Sequence, residues 1–251
     1  MQDPLAVKEY WKDPQTISLR DENLRLLEQR LIEKHLEPTE SLLEIGCGDC
    51  VNTLNYSRNS QSTLAMDYSW AMLKKAKVRL AQNGSGRIHL INGDFVFLRA
   101  LKTKFHTIIS QRCLINLSGW EKQKEALFII LEKLCEQGTF LMLETTLQGL
   151  QKLNHLRHKV GLPPIPRPWH NQNFDLPRLL DFLEGYFRVE EMRDFSLYFL
   201  NTRVLSPLLE LAPGSPESNR MDTAARELAE VVGASAIQGI GPQIFLKLRK
   251  K

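Results

Sequence analysis

Ser41-Leu42-Leu43-Glu44-Ile45-Gly46-Cys47-Gly48-Asp49 carries an apolar run straight into a Gly-x-Gly turn, and a second apolar run closes at Asp67, nineteen residues after Gly48. The first run reads as a buried parallel strand. Glycine at 46 and 48 lets the chain turn sharply and lets a ligand approach the backbone with no Cβ in the way. An acid at the end of the next strand can accept both hydroxyls of a ribose. Val51 stands where a dinucleotide fingerprint needs its third glycine, so the close helix packing that a pyrophosphate requires is missing and NAD is disfavoured. An adenosine ligand without a pyrophosphate remains compatible with this turn. It needs a ribose acid and an adenine contact, and Asp67 and Asp94 can supply them.

Outward from this turn, short apolar runs recur at Leu42–Ile45, Thr63–Met66, Ile88–Ile91, His106–Ser110 and Thr139–Leu143. They predict five parallel strands of a doubly wound α/β sheet. Trp70–Gln82, ended by Asn83-Gly84, and Trp120–Cys135, ended before Gln137-Gly138, have helical spacing and read as crossover helices. Ser69 and Ser118 are their candidate N-caps. Asn23–His35 reads as an amphipathic helix stopped by Pro38, after a less regular segment holding Tyr10-Trp11. Beyond Leu143 the pattern gives helices at Leu147–Val160 and Leu176–Leu183 around the Pro-rich connection 161–168. Alternating runs at 188–195 and 243–248 predict an antiparallel edge pair. Ser196–Gly241 between them reads as an insertion over one end of the sheet, with an exposed turn at Pro213-Gly214-Ser215-Pro216-Glu217. The expected organisation is one domain over 1–251. It comprises an N-terminal helical segment (1–38), a ligand-binding core (39–146), helices and a strand on the acceptor side (147–195), a lid insertion (196–243) and a last strand (244–251).

A chain of 251 residues with 43% hydrophobic and 25% charged residues can bury a full core. No apolar run is long enough to cross a membrane, and Met1-Gln2-Asp3-Pro4 lacks the pattern of a secretory signal, so a cytoplasmic location is expected. A net charge of +4, concentrated in Leu246–Lys251, does not indicate a nucleic-acid partner. Cys47 and Cys50 form a Cys-x-x-Cys pair, but it lies inside the glycine turn and no second pair or His-x-x-x-His follows, so no metal site is expected.

Leu-Glu-Ile-Gly-Cys-Gly-Asp at 43–49, Asp67, Gly93-Asp94-Phe95 and Ile108-Ile109-Ser110-Gln111 resemble, in order, the motifs of class I S-adenosylmethionine-dependent methyltransferases over residues 40–145. The resemblance implies a Rossmann-like, seven-stranded, mostly parallel sheet in the order 3-2-1-4-5-7-6, the seventh strand antiparallel, with helices on both faces. It implies S-adenosylmethionine as cofactor and S-adenosylhomocysteine as product. Glu44, Gly46, Cys47 and Gly48 would surround the methionine part, Asp67 with Tyr68 following it would hold the ribose, Asp94 would take the adenine amine with Phe95 on its ring, and the Gln111 backbone would lie near the sulfonium. The family often has a third glycine where this chain has Cys50, which implies a looser backbone approach there. Gln111–Leu117 and Pro168–Asn171 resemble a bacterial subgroup associated with surface-carbohydrate and small-molecule biosynthesis.

Methyl transfer from a sulfonium needs mainly alignment, and a general base only if the acceptor holds its proton near neutral pH. His170, between Trp169 and Asn171 after a rigid connection, is the candidate base, or else it only bonds a loop carbonyl. His155 and His158 fall on a polar helical face and read as solvent-exposed. Arg112 and Asn116 flank the end of the fourth strand, where this fold opens its crevice. Asn116 reads equally as a turn cap. Trp169 and Asn171 would wall an acceptor pocket. Tyr198 and Arg203 open the insertion and are acceptor-site candidates, unless Arg203 pairs with an acid such as Glu210. The leading expectation is methylation of an oxygen or nitrogen on a small molecule, a sugar or biosynthetic intermediate among the options. The alternatives are a protein or RNA methyltransferase, and a catalytically silent binding subunit.

Overall fold

In β1 (Thr39–Ile45), Leu42 and Leu43 are both wholly buried although they point to opposite faces. That pattern requires cover on both sides of the strand. The computed structural model describes residues 3–13, 15–16, 20–84, 86–232 and 239–251. Met1, Gln2 and the stretch 233–238 of the expected insertion lie outside the described residues. The remaining strands are β2 (Ser60–Asp67), β3 (Ile88–Asn92), β4 (Phe105–Gln111), β5 (Leu134–Thr145), β6 (Phe187–Asp194) and β7 (Gln243–Lys250). They form one sheet in the order β3-β2-β1-β4-β5-β7-β6. β1 to β5 pair in parallel, and β7 runs antiparallel between β5 and β6.

The helices are α1 (Pro4–Lys12), α2 (Glu22–His35), α3 (Thr53–Tyr56), α4 (Trp70–Asn83), α5 (Phe95–Ala100), α6 (Trp120–Lys133), α7 (Leu147–Lys159), α8 (Leu176–Glu184), α9 (Ser196–Leu200), α10 (Ser206–Leu208) and α11 (Pro216–Val232). One sheet face buries Leu43, Ile108, Phe140 and Leu246 against Leu127 and Ile130 of α6 and Leu179 and Leu183 of α8. The other buries Leu42, Ile109, Leu141 and Phe245 against Leu27 of α2, Leu153 of α7, Phe199 of α9 and Ala225 of α11. Burying a large aliphatic or aromatic side chain contributes about 1.5–3 kcal/mol, so these two layers dominate the stability of the fold.

Several local expectations hold. Ser69 caps α4 by accepting from the Met72 amide, and Gly84 ends it in the left-handed conformation. His155 and His158 are exposed on α7. Other local expectations are corrected. Tyr10 and Trp11 lie in a regular helix, α1, whose first turn Asp3 caps. Gly119, at φ 84°, stands at the N-cap of α6 in place of Ser118. That helix stops at Lys133 because Leu134 pairs with Phe105 in the sheet, so strand pairing overrides helix propensity there. The insertion is a helical layer. α9 and α11 pack on each other, and α11 packs on α2.

Candidate active site

The glycine turn is built by backbone bonds. The Gly46 and Cys47 amides donate to the Met66 carbonyl at 2.8 and 3.0 Å, tying β1 to the end of β2. Gly46 and Gly48 have φ of 73° and 55°. A Cβ on Gly46 would stand 2.7 Å from Cys113 Sγ, so the first glycine is required by both backbone angle and space. Cys50 adopts the same left-handed geometry, φ 59°, and its side chain is wholly buried near α4. The backbone here therefore follows the path a glycine would take despite the side chain, a conformation that costs a non-glycine residue about 1–2 kcal/mol.

Asp67 closes the turn from the other side. Its Oδ2 accepts from the Gly48 amide at 2.9 Å and its Oδ1 from the Ser69 amide at 2.7 Å. Burial raises its pKa, and these two amides oppose the shift. Each carboxylate oxygen keeps further acceptor capacity for hydroxyls. Glu44 lines the same end of the cavity, and burial, with the charges of Asp67 and Asp49 nearby, pushes its pKa up to about 8. Its Oε2 is buried without a hydrogen-bond partner. The Tyr68 hydroxyl, also on the lining residues, is likewise unpartnered. Asp94 accepts from the Val96 and Phe97 amides at the start of α5 and meets Lys8 Nζ of α1 at 3.3 Å. Burial works to raise its pKa, but the Phe97 amide and Lys8 outweigh it and hold the carboxyl below its ordinary value. Phe95 lines the wall beside it.

Beyond the turn the cavity floor is polar. Gln111 Nε2 donates to Glu28 Oε2 at 2.8 Å, while its Oε1 accepts from Asn52 Nδ2 and the Tyr56 hydroxyl, both at 3.0 Å. Glu28 is wholly buried. Burial raises its pKa against the pull of Arg112, whose Nη1 lies 3.3 Å away, and of Gln111. Arg112 has φ 51° and its amide donates to the Leu143 carbonyl, which turns its side chain back into the cavity after β4. Asn116 accepts from Trp11 Nε1 at 3.2 Å and donates to the Arg112 carbonyl at 3.0 Å, so it is both turn cap and tether for α1.

His170 is half-buried and stacks on Tyr10, ring centroids 4.5 Å apart, with Trp11 and Trp169 edge-on. Burial lowers its pKa, so the ring is neutral at neutral pH. His170 and Asn171 line the cavity. Trp169 does not. It is 56% exposed and meets the site through His170 and Tyr10. Tyr198 is also corrected. Its ring is wholly buried in the core beneath the insertion, and its hydroxyl donates to Asp21 Oδ1 at 2.7 Å. Arg203 does line the cavity, and it pairs with Asp21, not Glu210.

All the cofactor-side candidates and Arg112, Asn116, His170, Asn171 and Arg203 therefore border one cavity of about 1010 Å³. That is the upper end for a single drug-sized ligand and gives room for a second molecule. Sequence reading missed Glu28, Asn52, Tyr56, Gln243 and Glu144, which come from α2, the β1–α3 loop, α3 and the ends of β7 and β5. Only Glu144, an acid directly closing the apolar run Phe140–Leu143, left a signal. Among the described residues no group of His, Cys, Asp and Glu is placed to hold a metal ion.

A family model described as a methyltransferase domain matches residues 42–138. That match covers less than half of the chain, and it agrees with the order of the sheet and the turn just described, which are those of the class I methyltransferase fold. Solved structures share the fold at low identity. The N-methyltransferase NodS from Bradyrhizobium japonicum WM9, in complex with S-adenosyl-L-homocysteine, is 12% identical with a TM-score of 0.59, over 98% of this chain and 97% of that one. A methyltransferase from Geobacter sulfurreducens, also with S-adenosyl-L-homocysteine, is 16% identical with a TM-score of 0.55 over the whole of both chains. The [4+2]-cyclase SpnF is 17% identical with a TM-score of 0.59, covering 95% of this chain and 85% of that one. No curated protein matches the sequence. The residues present suit S-adenosylmethionine: a glycine turn that a Cβ would fill, an acid, Asp67, bonded to that turn and the unpartnered Glu44 Oε2 beside it. Among the described residues no helix is long and apolar enough to cross a membrane.

Proposed function

We propose that this chain transfers the methyl group of S-adenosylmethionine to an oxygen or nitrogen of a small polar molecule, a sugar or a similarly hydroxylated biosynthetic intermediate. The observation that carries this reading is the continuity of the cavity. It runs from Gly48 and Asp67 to an end lined by Thr145, Asn171, Asn173 and Gln243, groups that suit hydroxyl and amide recognition. Cover by α1 and by Phe199 and Arg203 of the insertion favours a small acceptor over a protein or RNA.

The cofactor supplies an electrophilic methyl group on a sulfonium. Asp67 is assigned the ribose hydroxyls, Glu44 and the 46–48 turn the methionine part, and Asp94 and Phe95 the adenine. Arg112, Asn171 and Arg203 are assigned to the acceptor. Holding two reactants in line supplies most of the acceleration. His170 is assigned the proton of the acceptor, because a neutral imidazole held by Tyr10 can take it.

The test is calorimetric titration with S-adenosylmethionine and S-adenosylhomocysteine, with NAD as control. Both adenosine ligands bind and NAD does not. Asp67→Ala weakens them by about 10- to 100-fold, since ligand hydroxyls and two amides lose a charged acceptor. Unchanged affinity in the variant would sink the ribose assignment. Binding followed by no methyl transfer to any hydroxylated or amino small molecule would favour the silent subunit.

A further inference from the structure

Glu144 takes no part in the contacts assigned above, yet it is a wholly buried carboxylate at the active end of β5. Its Oε1 accepts three bonds: from Ser110 Oγ at 2.7 Å, the Leu114 amide at 2.9 Å and the Cys113 amide at 3.1 Å. Its Oε2 accepts from the Ile115 amide at 3.3 Å. Three successive amides of one loop thus converge on a single side chain. That loop follows Arg112, brings Cys113 against Gly46 and ends at Asn116, which holds Trp11 of α1. Charge-assisted bonds to backbone amides are about twice as strong as neutral ones.

We propose that Glu144 is a positioning residue whose carboxylate sets the loop 113–115, and through it the seating of Cys113 on the glycine turn and of Arg112 in the cavity. The inference rests on the methyltransferase reading only for its ligand arm. The groups facing Glu144 are Ser110 from β4, the Cys113 thiol and the three amides from the loop, and Ile244 at its register position on β7. None of them carries a positive charge to hold it ionised. Burial pushes its pKa up to about 7 against the four hydrogen bonds. If the loop opens while Glu144 stays buried on β5, the carboxyl loses the three amide bonds that lower its pKa and keeps the burial that raises it; the ionised form therefore favours the closed loop, and that preference is lost as pH falls through about 7.

The experiment compares the wild-type chain with Glu144→Gln, which keeps the shape and removes the charge. Amide hydrogen exchange at Cys113, Leu114 and Ile115, measured without ligand and corrected for intrinsic rate, rises about tenfold or more in the variant, while β4 and β5 stay protected. In the wild type the same amides lose protection between pH 8 and pH 6, and in the variant their protection is flat. S-adenosylhomocysteine binds the variant about tenfold more weakly at pH 8, and the gap closes toward pH 6. Glu44 and His170 titrate in both proteins and cancel from this difference. Equal exchange at the three amides in both proteins overturns the proposal whether or not the ligand binds. If the variant fails to fold, wild-type protection that does not change between pH 6 and 8 overturns it.

Discussion

Gly46 shows how little latitude single residues have around this turn. Its φ of 73° excludes most side chains, and the space a methyl group would fill belongs to Cys113 Sγ and Cβ, at 2.7 and 2.8 Å. Gly46→Ala must therefore strain the backbone and move the loop after β4 at once. The expected result is loss of measurable S-adenosylhomocysteine binding by calorimetry, with a destabilisation of about 1–3 kcal/mol in urea unfolding. Affinity within threefold of wild type would show that the turn tolerates the shift. His170 offers a test of the opposite kind. Burial lowers its pKa below the ordinary 6.5, so the imidazole is already neutral at pH 6.5 and protonates only at lower pH. If it takes the acceptor proton, kcat/KM falls with one acid limb placed below pH 6.5. His170→Ala then loses that limb and about 10²–10⁴-fold in rate while keeping cofactor affinity. An unchanged pH profile in the variant would leave alignment alone to carry the transfer.

Among the elements, α1 has an unusual division of labour. Among the described side chains of this helix Val7 alone is deeply buried, yet Lys8 meets Asp94, Trp11 bonds Asn116 and holds Ser69 through its carbonyl, and Tyr10 stacks on His170. The helix contributes little to the core and much to the roof of the cavity. Removing residues 1–13 is expected to lower the melting temperature by only a few degrees and to weaken S-adenosylhomocysteine by about tenfold or more. A large loss of stability with unaltered affinity would reverse that assignment. The same helix marks the boundary of what was legible in the sequence. β1, β2, the Gly46–Gly48 turn and Asp67 announce themselves through adjacent residues: a run of apolar side chains, two glycines and an acid at a strand end. Glu28, Tyr56 and Gln243 come together only because α2, α3 and β7 meet the sheet at one end, and nothing local encodes that meeting. Tyr198 misled for a related reason. An aromatic residue at the start of an insertion looks the same whether it faces a ligand or the core, and here the ring serves Phe199 and Asp21.

At the scale of the whole molecule, the cavity joins parts that are distant in sequence: the first helix, the ends of β1, β2, β4 and β5, the Pro-rich connection and the start of β7. A ligand bound there couples to the complete folded state. S-adenosylhomocysteine at a hundredfold excess over its Kd should add about 2.7 kcal/mol and raise the melting temperature by roughly 5–10 °C, measured by calorimetric scanning. A rise confined to local protection around the glycine turn, with no change in melting, would mean that the turn binds ligand independently of the rest. The position of β7 carries a consequence for how the chain is made. Among the described residues β6 has β7 as its sole sheet neighbour, and β5 is bordered on that side by β7 as well. A nascent chain emerging from the ribosome can assemble β1 to β5 in succession, but β6 then waits with no strand to join. The gap beside β5 closes only when Gln243–Lys250 arrives and slides in between.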